Sequence, residues 1–175
     1  MAQFSYRIIP LAALALAVPA QATVYLTVEQ AQNQMFPRQS LTPQFRTLTA
    51  EQVAAIRKAS GESPLSRDLR AWRAADGGWF IVDEVVGKHE FITYAVSLDS
   101  SGAIRDVEIL DYREAYGGQV RDPRWRQQFV GKRAGQSLKL GGEIRNVSGA
   151  TLSCKHITDG VRRVLATYAV ALAHA

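Results

Sequence analysis

Three hydroxyls are crowded into the run Ser148-Gly149-Ala150-Thr151-Leu152-Ser153, and an amphipathic helical pattern opens directly behind it. Small residues at 149 and 150 permit a tight turn. A helix start presents unpaired N–H groups and the positive end of the helix dipole, and both favour an anion. A hydroxyl at this place is therefore suited to carry a phosphate group. Lys155, one turn further on, offers a cation that would add to the effect. The plain alternative is a helix cap, in which a hydroxyl satisfies one of those N–H groups and nothing is bound.

A second group lies upstream. Glu114-Ala115-Tyr116-Gly117-Gly118 is an irregular stretch after a strand pattern, followed by Trp125-Arg126-Gln127-Gln128-Phe129-Val130-Gly131. Trp125 and Phe129 are four apart and share a helix face, a spacing that favours the core over a ligand. Cys154, His156 and Asp159 are metal-ligand types, but His156 points away from Cys154 on a helical wheel. An exposed imidazole and a buried thiol are expected instead. Asn146-Val147-Ser148 matches a glycosylation acceptor formally and overlaps the hydroxyl-rich run. The chain offers no Ser-His-Asp set, nucleotide-binding glycine loop or paired acid/base carboxylates.

The elements that must position these groups are legible from periodicity. Thr27 to Phe36 has helical spacing with Thr27 as cap and Pro37 beyond the end, and Thr49 to Ala59 is a second helix ended by Gly61. Residues 38–48 between them read as extended. From Leu69 the pattern becomes strands: Ala71 to Ala74, the turn Asp76-Gly77-Gly78, then Trp79 to Val86, Glu90 to Leu98 and Ile104 to Tyr112. A short helix is expected over Pro123 to Val130, a short strand over Leu138 to Leu140, and a long final helix from about Ser153 to Ala173. Its positions Ile157, Val161, Val164, Leu165, Tyr168 and Leu172 form one apolar face. The fold class is α+β, a mostly antiparallel sheet of about four to five strands with helices packed on it.

Residues 1–22 have the composition of an export signal. Arg7 is the only charge, Ile8 to Val18 is apolar, and Ala20-Gln21-Ala22 is a small-x-small cleavage site. The apolar stretch is shorter than the roughly 20 residues that span a bilayer. Residues 23–175 are then one domain. Loss of Arg7 lowers the formal charge of +5 to +4. No Lys/Arg run with interleaved aromatics is present, so nucleic acid is not an expected partner. A single cysteine, Cys154, excludes an internal disulfide.

These two regions together resemble the FMN-binding domain family. It includes the flavin-carrying subunits of sodium-translocating NADH:quinone reductases and Rnf complexes, and small exported relatives. The family hallmark, (Ser/Thr)-Gly-Ala-Thr-x-(Ser/Thr), is met by Ser148 to Ser153. The resemblance spans about Phe91 to Ala169, and it implies FMN joined to Thr151 through a phosphoester. It further implies that Ser148, Gly149, Ala150, Leu152 and Ser153 surround the attachment. Glu114, Tyr116, Gly117 and Gly118 would form the loop facing the flavin, with glycines admitting backbone N–H groups to its ring system.

Three positions depart from the pattern. Arg145 stands where many relatives have Asp, Tyr116 replaces a loop proline, and Gln119 replaces a glycine. The implied protein is an exported electron-transfer carrier, periplasmic or on the outer face of the cytoplasmic membrane, rather than a self-contained enzyme. It would be matured by an FAD-dependent FMN transferase and would serve a membrane-bound redox protein or cytochrome. The competing expectation, which Arg145 favours, is a flavin-free exported accessory module of the same fold.

Overall fold

The computed structural model describes residues 23–174, and the expected export segment, residues 1–22, lies outside them. The described residues open with a two-residue edge strand, β1 (Thr23–Val24). Helix α1 (Val28–Met35) follows, opened by a capping box in which Thr27 and Gln30 each bond the other's backbone N–H. Strands β2 (Leu41–Pro43) and β3 (Arg46–Thr47) occupy the extended segment. Helix α2 (Ala50–Ser60) repeats the capping box with Thr49 and Gln52 and stops at Gly61, which takes a left-handed conformation.

Four long strands form the expected meander: β4 (Asp68–Ala74), β5 (Trp79–Val86), β6 (Phe91–Leu98) and β7 (Ile104–Tyr112). With the short strands they make a seven-stranded sheet among the described residues. Its order is β1-β7-β6-β5-β4-β2, with β3 also paired to β4 and all named pairings antiparallel. At one edge β1 pairs Thr23 with Tyr112, the last residue of β7.

Strand alternation sends residues to two cores. Trp79, Ile81 and Val85 of β5 face α2 and the final helix, α4 (Thr151–Thr167). Phe80 and Val82 face the other way and pack with Ala31 and Met35 of α1. The sheet is thus covered on both faces. Helix α4 ends in a wider π-type turn at Tyr168–Leu172, so the expected long final helix is regular only to Thr167.

Close packing and a charge pair between the buried Arg163 and the part-buried Asp83 fix α4 on the sheet. Gly160 lies against Tyr94 and Val85, leaving no room for a methyl group. Arg163 Nη2 meets Asp83 Oδ2 at 2.7 Å, and Tyr94 donates to the same oxygen at 2.9 Å. Burial, with Asp83 beside it, pushes the Tyr94 phenol well above its ordinary range, so it stays a donor.

Between β7 and α4 the chain is mostly irregular. A 3₁₀ turn at Gly118–Arg121 leads to helix α3 (Pro123–Arg126), capped by Asp122, and a second 3₁₀ turn at Gln127–Phe129. The strand expected over Leu138 to Leu140 is only a bridge from Leu140 to Ile144. Gly141 and Gly142 reverse the chain there, with Gly141 N–H donating to the Ile144 carbonyl, so the segment pairs with itself instead of joining the sheet.

Candidate functional site

The hydroxyl-rich run and the loop after β7 meet at the N-terminal end of α4. Gly149 holds a left-handed backbone (φ 82°), and the turn closes with Ala150 N–H on the Val147 carbonyl at 3.0 Å. Thr151 is the first helical residue. The cap residue is Ala150, and no side chain caps the helix. The cap expected as the plain alternative is therefore absent, and the first-turn N–H groups are left for another acceptor. Thr151 is exposed, and its Oγ1 accepts a hydrogen bond from Asn146 Nδ2 at 2.9 Å.

Gly117 brings the β7 loop against this helix start. Its backbone is left-handed (φ 89°), and a Cβ there would sit 2.5 Å from Ser153 Oγ and 2.7 Å from the Tyr112 hydroxyl. The Tyr112 hydroxyl donates to the Tyr116 carbonyl and lies 2.8 Å from Ser153 Oγ. Tyr112 has one proton to give, so Ser153 is the donor in the second bond. Burial pushes the Tyr112 phenol up, against the lowering effect of Ser153, and keeps that proton in place.

Between the two segments lies a cleft of about 440 Å³, within the range of small-ligand sites. Gly149, Ala150, Thr151, Leu152 and Ser153 form one wall, and Glu114, Ala115, Tyr116 and Gly117 the other. Lys88 and His89, in the turn between β5 and β6, complete the rim. Two of the expected residues stand off it. Ser148 is exposed on the turn before α4, and Gly118 lines a neighbouring depression with Gln119 and Arg121. Lys155 is engaged with Asp159 at 2.7 Å, one turn from the cleft.

The Glu114 carboxylate is turned to protein rather than left free. Its Oε1 accepts from the backbone N–H groups of His89 and Glu90 at 2.6 and 3.0 Å. Burial pushes this carboxyl up, but the N–H groups of Glu90, His89 and Lys88 outweigh it and hold it below the usual carboxylate range. A side chain on Gly87 would strike the same carboxylate. Glu114 therefore fastens the rim turn to the β7 loop.

The Trp125 segment acts behind the cleft. Trp125 and Phe129 are buried in an edge-to-face pair, as their spacing predicts. The indole N–H of Trp125 donates to the Arg145 carbonyl at 2.7 Å, and Gln128 Oε1 accepts the Arg145 N–H at 2.8 Å. Residues 125–128 thus grip the backbone entering the turn before α4. No group of His, Cys, Asp and Glu side chains among the described residues is arranged to hold a metal.

Residues 87–166 match the family model of the FMN-binding domain. The chain carries a domain of that family. The matched span runs from the rim turn through β6, β7 and the Trp125 segment into α4, so it contains both walls of the cleft. No curated protein matches the chain. The FMN-binding domain is a flavin-binding module, and three features here suit its ligand. An uncapped helix start suits a phosphate, a cleft of about 440 Å³ adjoins it, and Gly117, lacking a side chain, lets the β7 loop close against that helix start.

Sequence reasoning missed Tyr112, Asn146, Lys88 and His89 in this FMN-binding domain. Tyr112 has the signature of an ordinary strand-end aromatic, and nothing short of the fold brings it to Ser153. Lys88 and His89 belong to a hairpin turn, and only the sheet register carries that turn to the helix start.

Proposed function

We propose that this chain is an exported electron-transfer flavoprotein in which FMN is esterified through its phosphate to Thr151. The observation that carries the reading is an exposed threonine hydroxyl at an uncapped helix start, on the wall of a cleft of ligand size. The first-turn N–H groups would hold the phosphate charge, which survives in the ester. Ala150 and Leu152 on one wall and Tyr116 and Gly117 on the other would bound the ring system. FMN supplies one- and two-electron exchange, while the protein supplies position, electrostatics and a docking surface.

Covalent attachment fits a protein outside the cytoplasm, where a dissociated flavin diffuses away. The role is that of a carrier, serving a membrane-bound redox protein or cytochrome from the periplasm or the outer face of the cytoplasmic membrane. An FAD-dependent FMN transferase in the same compartment is its maturation partner.

Co-expression with such a transferase tests the reading. The denatured protein should fluoresce in a gel and gain the mass of FMN less one water, and Thr151→Ala should lose both signals. An unmodified wild-type chain, with another FMN-binding domain labelled in parallel, refutes the covalent reading and leaves a flavin-free module.

A further inference from the structure

Asn146 and Thr151 are both exposed, so core packing does not account for the bond between them. The donor is preorganised. The backbone of the preceding residue is fixed at both polar atoms, by Trp125 Nε1 on the Arg145 carbonyl and by Gln128 Oε1 on the Arg145 N–H. Trp125 is itself buried against Phe129. On the far side the turn from Val147 to Ala150 closes on itself and delivers Thr151 as the first helical residue. The Asn146 amide therefore issues from a fastened strand of backbone and meets one oxygen, Thr151 Oγ1.

We infer that Asn146 is a positioning residue for phosphoester formation at Thr151, a role that rests on the covalent-FMN reading above. A threonine hydroxyl on an open surface samples several staggered rotamers. A donor on Oγ1 selects one of them, occupies one lone pair and leaves the other lone pair and the hydroxyl proton for reaction. In the step itself, Oγ1 bonds to the FMN-side phosphorus of flavin adenine dinucleotide. The pyrophosphate P–O bond breaks and AMP leaves with the bridging oxygen. The hydroxyl proton passes to a base of the transferase, and nothing is oxidised or reduced. A neutral amide suits this task, because it orients the oxygen without holding its proton. The Asn-x-Ser match at 146–148 thereby acquires a use unrelated to sugar. The same geometry gives the Trp-x-x-Gln spacing a purpose: Trp125 and Gln128 hold the backbone from which the amide reaches.

The test follows incorporation by intact mass, using the unmodified chain, a purified FAD-dependent FMN transferase and excess flavin adenine dinucleotide. Asn146→Ala should slow the initial rate about three- to tenfold, the scale of one freed rotor and one lost hydrogen bond. Final labelling should still reach completion. Asn146→Asp keeps the shape but removes the donor and should be slowed likewise, with the thermal midpoint of the unmodified protein unchanged. Trp125→Phe should also slow incorporation, and combining it with Asn146→Ala should add little, because both act through one contact. Wild-type rates in Asn146→Ala, or in Asn146→Asp, overturn the proposal. A wild-type chain that gains no mass, beside a labelled control domain, overturns the covalent reading and this role together.

Discussion

Gly117 and Gly149 of the cleft and Gly118 beside it differ in backbone angle and in the space around them, and replacing each with alanine separates the two costs. Gly118 has ordinary backbone angles, and its nearest neighbour is the Arg121 side chain, 3.8 Å from a built Cβ. Gly118→Ala should leave stability within about 0.5 kcal/mol, or raise it slightly by restricting the unfolded chain. Gly149 is left-handed but open, with Gln119 Nε2 at 3.8 Å, so Gly149→Ala should cost about 1–2 kcal/mol of backbone strain. Gly117 is left-handed and closed. Its methyl group would press on Ser153 Oγ and the Tyr112 hydroxyl, adding about 1–3 kcal/mol of overpacking to the same strain. Gly117→Ala should therefore cost about 2–5 kcal/mol. Urea unfolding of the unmodified protein measures all three, with m-values confirming a common unfolded state. Equal losses at 117 and 149 would refute the claim that the β7 loop is pressed onto the start of α4. A loss at 118 as large as that at 117 would refute the assignment of strain altogether.

Gly160→Ala should destabilise by about 1–3 kcal/mol in thermal unfolding. A glycine-to-alanine change inside a helix ordinarily stabilises, but here Tyr94 and Val85 already fill the space. Arg163→Met should cost about 3 kcal/mol in urea, since Asp83 keeps only the Tyr94 hydroxyl while a quarter of its side chain remains exposed. Asp76 has its carboxyl lowered from 3.8 to about 2, burial opposing and bonds from Gln39, Gly78 and Arg105 prevailing. Because the folded value is the lower, its stabilisation is present above pH 3.8 and lost as pH falls towards about 2. Asp76→Asn should flatten that part of the acid unfolding curve, and an unchanged curve would remove Asp76 from the account.

The meander and both capped helices were legible because each rests on local signals. Two Thr-x-x-Gln boxes, Gly61 and the Asp76-Gly77-Gly78 turn act within a few residues of themselves. The second core was not legible. Phe80 and Val82 look like part of a continuous apolar strand, and a strand buried on both sides shows no alternation to betray its two faces. Of the cleft, the hydroxyl-rich run and the β7 loop were visible as segments. What fastens them was not, since Tyr112 to Ser153 and Trp125 to Arg145 are contacts across 41 and 20 residues. The Arg145 departure also looks different once folded. The contacts that hold this position use its backbone N–H and carbonyl, so the turn does not depend on which side chain is there.

The edge strand β1 carries a consequence for how the domain is presented. It pairs Thr23 with Tyr112, and from Tyr112 the chain turns at once into the wall of the cleft. Paired strands lie about 5 Å apart, so β1 and the cleft lie at the same end of the sheet. A change in the pairing at Thr23 is therefore passed straight to the wall of the cleft through Tyr112.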